Sequence, residues 1–174
     1  MIPPETLYLV GPMGAGKTTI GRHLAKFLQR EFVDLDAEIE VRCGADIPWI
    51  FDVEGEQGFR DRESALLQEV AGRQGLVVAT GGGIVLRAEN RLLLKEHGLA
   101  IYLSVTPREL YERTRNDLHR PLLQVPNRRA VIDRLVAERD PLYREVATLT
   151  YSGGRRGARG AAEEILRAIQ ARHG

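Results

Sequence analysis

Gly11-Pro12-Met13-Gly14-Ala15-Gly16-Lys17-Thr18 follows directly on the apolar run Leu7-Tyr8-Leu9-Val10 and leads into an apolar stripe at helical spacing, Ile20, Leu24, Phe27 and Leu28. The octapeptide matches G-x-x-x-x-G-K-[ST], the phosphate-binding loop that joins a strand to a helix. Its glycines let backbone N–H groups face a phosphate chain, and the helix that begins there adds positive partial charge. The lysine of such a loop, here Lys17, reaches the β- and γ-phosphates, and the hydroxyl after it, here Thr18, ligates Mg²⁺. Gly14, Ala15, Gly16, Lys17, Thr18 and Thr19 are therefore the expected nucleotide contacts, and a nucleoside triphosphate the expected ligand.

Outward from this loop the chain alternates. Four further apolar runs, Phe32–Leu35, Leu76–Ala79, Ala100–Leu103 and Thr148–Tyr151, are mostly continuous rather than alternating, as in strands of a parallel sheet covered on both faces. Helical patterns separate them. Thr106-Pro107-Arg108-Glu109 reads as a helix start with a capping box, and Ala161, Ala162, Ile165, Leu166 and Ile169 mark a C-terminal amphipathic helix. The expected architecture is α/β, a three-layer α/β/α sandwich around a five-stranded parallel sheet. Two stretches break the alternation. Residues 37–61 are acidic and punctuated by glycine, which predicts a small helical insertion. Residues 114–128 carry two prolines and no apolar anchor stripe, which predicts either a surface loop or a lid that stands open. Ser152–Gly160 is expected to be the loop between the last strand and the last helix.

Composition bounds the function. The 174 residues suit one domain, and 43% hydrophobic with 28% charged residues is ordinary globular usage. No apolar run reaches the ~20 residues of a membrane span, and no leader pattern opens the chain. Cys43 is the single cysteine, so no internal disulfide forms and a small, half-buried apolar role in a reducing cytoplasm is expected. A net charge of +1 argues against nucleic acid or a membrane surface as partner. That average conceals an asymmetry: residues 31–63 hold 11 acidic and 3 basic side chains, while residues 108–144 hold nine arginines and six acids. Such lobes suit an anionic ligand and its metal held between them. Asn-Lys-x-Asp, the guanine signature, is absent, and the chain is short for a nucleic-acid motor. A kinase of small metabolites, closing over two substrates to exclude water, is the expected class; a non-catalytic nucleotide-binding module is the alternative from another class.

Asp34-Leu35-Asp36, Gly58-Phe59-Arg60-Asp61-Arg62-Glu63, Gly81-Gly82-Gly83, Arg120-Pro121-Leu122-Leu123 and Arg139-Asp140-Pro141-Leu142-Tyr143 follow the phosphate loop in that order. This ordered set, over about residues 6 to 170, resembles the shikimate kinases. The resemblance implies ATP and shikimate as substrates, Mg²⁺ as cofactor, and transfer of the γ-phosphoryl group to the shikimate 3-hydroxyl. Asp34 resembles the acid that holds Mg²⁺ through water, beside Thr18. Asp36, expected two residues on in an extended segment, resembles the acid on the ring hydroxyls, whether as base or as a positioner of the ring. Arg60 and Arg139 resemble the pair that grips the carboxylate, and Gly81, Gly82 and Gly83 the close approach to the ring. Arg120 resembles a lid arginine that reaches the transferring phosphate and acts with Lys17 and Asp36 in catalysis. Arg113 and the Arg155-Arg156 segment resemble the adenine sandwich, Arg156 being the best candidate there. The resemblance divides the one kinase domain into a core (1–35, 62–113, 129–174), a substrate-binding insertion (36–61) and a lid (114–128). It implies a cytoplasmic monomer. Ala79 stands where other phosphate-loop proteins carry a metal-binding Asp, which leaves metal duty to Thr18 and Asp34. A gluconate- or nucleotide-type kinase of the same class is the rival reading.

Overall fold

The structure, a computed structural model, describes residues 4–117, 121–153 and 156–174. Five parallel strands form one sheet: β1 (Thr6–Val10), β2 (Phe32–Asp34), β3 (Val77–Ala79), β4 (Gly98–Ser104) and β5 (Leu149–Ser152), in the spatial order β2-β3-β1-β4-β5. Each expected run supplies a strand. Seven α-helices connect them: α1 (Lys17–Leu28), α2 (Leu35–Cys43), α3 (Ile47–Ala71), α4 (Ala88–Glu96), α5 (Pro107–Arg113), α6 (Arg128–Val146) and α7 (Ala158–His173).

The period of two along each strand sorts its side chains between two cores. Leu7, Leu9, Val77, Ile101 and Leu103 pack with Ile20 and Leu24 of α1 and with Ala162, Ile165 and Ile169 of α7. Tyr8, Val10, Val78, Ala100 and Tyr102 face the other way, onto Leu35 and Ile39 of α2, Leu66, Leu67 and Val70 of α3, Leu94 of α4 and Tyr143 of α6. The sheet is thus covered on both faces, which is why its strands read as continuous apolar runs. β1 sends its helix to one face and its neighbour β3 leads to the other. The loops after these two strands therefore part at their C-terminal ends and leave a crevice, the usual ligand position in such sheets.

The capping box holds: Thr106 Oγ1 accepts from Glu109 N, and Glu109 Oε2 accepts from Thr106 N, each at 3.2 Å. Cys43 is half-buried against the core, as expected. Three features differ from the sequence reading. Asp36 is not in an extended segment, because the chain turns helical at Leu35, one residue after β2, with Asp34 as N-cap. The acidic stretch is two helices rather than one small one. The second, α3, kinks at Gly55 (φ +75°) and runs on past residue 61 to Ala71, because Leu66, Leu67 and Val70 bind its second half to the core. Finally, residues 114–128 do have an apolar anchor. Pro121–Leu123 form a 3₁₀ turn whose Leu123 is buried against Leu110 of α5 and Ile132 of α6. A single leucine leaves no periodic trace in sequence, so this anchor is visible only in three dimensions.

Candidate active site

The phosphate loop is shaped by glycine where the backbone requires it. Gly14 and Gly16 adopt φ of +82° and +95°, a region L side chains rarely enter. A Cβ on Gly14 would also lie 2.8 Å from Thr114 Cγ2. Gly16 is the N-cap of α1 and no side chain caps it, so the first-turn N–H groups point into the cleft for an anion. Lys17 is largely buried, and its Nζ donates to the Gly11 and Pro12 carbonyls, folding the ammonium back over the loop. Arg113 Nη1 donates to the Gly14 carbonyl at 3.2 Å and braces the loop from α5.

Asp34 does two jobs at once. Its Oδ1 accepts from Ala37 N at 3.1 Å, capping α2, and its Oδ2 accepts from Thr18 Oγ1 at 2.7 Å. The cap of α2 and the hydrogen-bond partner of Thr18 are therefore one residue. Two hard oxygen donors meet at the mouth of the phosphate loop, and no group of three or more His, Cys, Asp or Glu side chains that suits a metal occurs among the described residues. That donor set fits Mg²⁺, which takes one or two protein oxygens and completes its shell with water and phosphate.

A cleft of about 390 Å³ opens over Gly14, Gly16, Lys17, Thr18, Thr19, Asp34, Asp36 and Arg113. A second, of about 320 Å³, continues along Gly14, Ala15, Gly16 and Thr19 to Tyr151 and Arg156. Arg156 is ion-paired to Glu164 at 3.1 Å. Arg120 and Arg155 lie outside the described residues.

The third cavity, about 50 Å³, is bounded by Asp36, Arg60, Glu63, Gly81, Gly82, Gly83 and Arg139, with Met13, Ile47, Phe51, Phe59, Pro121 and Leu122 closing it. Arg60 and Arg139 are buried cations, 6% and 4% exposed. Each glycine of the triplet admits a different functional group. A Cβ on Gly81 would lie 2.7 Å from Asp36 Oδ1 and 2.8 Å from Glu63 Oε2; one on Gly83 would strike the Arg60 guanidinium at about its centre, 2.4 Å from Cζ; one on Gly82 would press on Met13 N at 3.3 Å. Three side chains of the site rest on bare backbone, so close approach, not backbone dihedral freedom, explains the triplet.

Sequence reasoning passed over Glu63. Its carboxyl is fully buried and accepts from Arg60 Nη1 at 3.1 Å. Burial pushes it up from 4.5 to about 7, against the pull of Arg60 and with a further push from Asp36. A signal was present: Phe59, Glu63, Leu66, Leu67 and Val70 share one helical face, and a glutamate inside an apolar stripe is a buried charge that needs a partner. The Phe51 and Phe59 rings, 5.1 Å apart, form an apolar wall that sequence reasoning also missed, since the Gly55 kink is what brings them together.

The match to known proteins is close. Residues 13–170 match the family model described as shikimate kinase. A shikimate kinase of Chromohalobacter salexigens is 56% identical over 162 residues, 93% of this chain and 90% of that protein. One from Vibrio parahaemolyticus is 50% identical over 172 residues, 99% of this chain and all of that protein. A solved structure, shikimate kinase from Acinetobacter baumannii in complex with shikimate, superimposes with a TM-score of 0.95 at 51% identity, covering 97% of this chain and 94% of that one. A gluconokinase from Sinorhizobium meliloti shares the fold alone, with a TM-score of 0.59 at 15% identity. On this evidence the chain belongs to the shikimate kinase family, whose members are ATP-dependent phosphotransferases with an alcohol acceptor.

Proposed function

We propose that this chain transfers the γ-phosphoryl group of ATP to the 3-hydroxyl of shikimate, giving shikimate 3-phosphate and ADP, as a step toward the aromatic amino acids. One observation carries the reading beyond family membership: Asp36 lies on the wall of both the phosphate cleft and the buried cavity. A hydroxyl bound at Asp36 is thus presented to a γ-phosphate bound at Lys17. Arg60 and Arg139, each a planar fork of donors, suit the carboxylate of the acceptor. Asp36 accepts a hydrogen bond from the attacking hydroxyl and takes its proton as the O–P bond forms. The bond from the γ-phosphorus to its bridging oxygen breaks in line, and ADP departs. Lys17 Nζ leaves the carbonyls of the loop for the phosphate oxygens, and Arg120 completes the charge balance. Thr18 and Asp34 would hold Mg²⁺, which supplies charge neutralisation on the phosphates when bound. Catalysis rests on positioning and electrostatics.

The free space between the arginines and the glycine triplet, about 50 Å³, takes a few water molecules and not a six-membered ring with its substituents. An acceptor needs Pro121 and Leu122 to move outward for entry and return to exclude water, which supports 114–128 as the lid and 36–61 as the acceptor-binding insertion. An ATP donor together with the lone Cys43 supports the cytoplasm. No described helix is long and apolar enough to cross a membrane.

A coupled assay of ADP release, with and without shikimate and against gluconate and nucleoside monophosphates, tests the reading. Release that depends on shikimate is expected. Turnover with one of the other acceptors and none with shikimate would overturn it.

A further inference from the structure

We propose that Tyr143 is a positioning residue of the transfer reaction: its hydroxyl fixes the Gly82 peptide, against which Arg139 packs, and so sets the acceptor clamp in register with the phosphate loop. The inference rests on the acceptor reading of Arg139 above. Tyr143 sits one helical turn beyond Arg139 on the same face of α6 and is 1% exposed. Its hydroxyl donates to Gly82 O at 2.5 Å, and the Arg139 guanidinium lies against the same glycine, its Nη1 3.6 Å from where a Gly82 Cβ would stand. A carbonyl oxygen only accepts, so the phenol must send its one proton to Gly82. The arrangement has a single direction.

Gly82 is the place where the two half-sites meet. A Cβ there would lie 3.3 Å from Met13 N and 3.8 Å from Gly11 O of the phosphate loop, and 3.6 Å from Arg139 Nη1 of the clamp. Whatever fixes the Gly82 peptide fixes the distance between the loop that holds the donor and the arginine that holds the acceptor. Packing alone does not account for the hydroxyl, because a phenylalanine would fill the same space and keep the stack on Tyr102, whose ring centre is 5.0 Å away. A second arm anchors that stack to the sheet: Tyr102 of β4 donates to Asp140 Oδ1 at 2.6 Å, and Arg144 Nε donates to Asp140 Oδ2 at 2.9 Å.

The need for a tie is built into α6. Pro141 lies between Arg139 and Tyr143, lacks an N–H, and leaves the Ala137 carbonyl without its helical donor. The backbone ladder is interrupted at the point where the angle of Arg139 must be set. Tyr143, across the interruption from Arg139, holds the Gly82 peptide beside which that arginine packs.

Tyr143→Phe tests this, with Leu142→Ala as a control that weakens the same helix without touching Gly82. For Tyr143→Phe, kcat is expected to fall about tenfold and the shikimate KM to rise several-fold, since small misplacements of reacting groups have large rate effects. ATP affinity measured without shikimate should stay within about twofold, and Tm should drop by only about 2–4 °C. Leu142→Ala should lower Tm at least as much and leave kcat near wild type. The proposal is overturned if Tyr143→Phe keeps kcat and shikimate KM within about twofold of wild type. It is also overturned if ATP affinity falls as much as shikimate affinity, or if Leu142→Ala lowers kcat equally. Wild-type protein that fails to turn over shikimate at all would instead sink the functional reading, so the two failures are told apart by the wild-type trace.

Discussion

On the proposed reading, the phosphate side of the cleft is made from eight consecutive residues, Gly11–Thr18, and largely from their backbone, whereas the acceptor side draws on four separated segments: the side chains of Asp36, of Arg60 with Glu63 and of Arg139, and the bare backbone of the glycine triplet. The first is roomy, about 390 Å³; the second is small, about 50 Å³, and is lined by two buried cations. The difference follows from what each must recognise. A polyphosphate presents the same oxygens along its length, which repeated N–H groups and a helix terminus match without any side chain beyond Lys17 and Thr18. A small ring with one carboxylate and several hydroxyls demands particular donors and acceptors at particular corners, which only converging side chains supply. One half-site is a local motif and the other is a tertiary product.

That contrast is broken most sharply at Lys17. Lys17→Ala is expected to lower kcat by at least about 10²-fold, because a charge on the β- and γ-phosphates is worth most in the transition state. Shikimate binding, measured without nucleotide, should change little, since Lys17 borders the phosphate cleft and not the acceptor cavity. Activity within about threefold of wild type would show that the motif does not hold the phosphates as read.

Arg139→Ala gives the mirror image. Removing one partner of a buried, hydrogen-bonded charge typically costs about 2–5 kcal/mol, roughly 30-fold and upward. The loss should fall on shikimate affinity while ATP affinity in the absence of shikimate stays near normal. Equal losses on both substrates would mean that Arg139 braces the whole crevice, through its approach to Gly82, rather than reading a carboxylate.

The same division decides what could be read before the fold was seen. The strands, the capping box at Thr106 and the phosphate loop were legible because each is written within a dozen residues as a period or a fixed spacing. Asp34 was legible as an acid beside Thr18, with which it shares a hydrogen bond, but its second job as cap of α2 was not read. The setting of Asp36 was misjudged because the strand ends one residue earlier than its apolar run. Leu123 and the aromatic pair Phe51 and Phe59 were illegible, since what makes them matter is contact across the kink at Gly55 or between α5 and α6. Glu63 lies between these cases. Its position in an apolar stripe was on view, but its meaning depends on Asp36 arriving from α2 and Arg139 from α6.

Glu63 also offers the finest test of the comparison, because a titratable group raised to about 7 belongs to the acceptor half-site. Arg60 faces it from α3, Asp36 from α2 and Arg139 from α6, and burial outweighs the two cations. The folded state therefore holds this proton more tightly than the unfolded chain between pH 4.5 and about 7. Stability from this carboxyl is fully present below pH 4.5 and is lost as pH rises through about 7, the reverse of an ordinary paired carboxylate. Glu63→Gln removes the titration, so its Tm should gain on wild type by a few degrees, about 2–4 °C per kcal/mol, between pH 5 and 8. Binding adds a second signature. An acceptor carboxylate drawn to Arg60 brings more negative charge near Glu63 and raises its proton affinity further. Shikimate binding at pH 7.5 should thus take up a fraction of a proton in the wild type, seen as a binding enthalpy that varies with the ionisation enthalpy of the buffer, and the variant should show less. A wild-type enthalpy independent of buffer, together with parallel Tm curves for the two proteins, would mean that Glu63 stays ionised throughout and serves only as the fixed partner of Arg60.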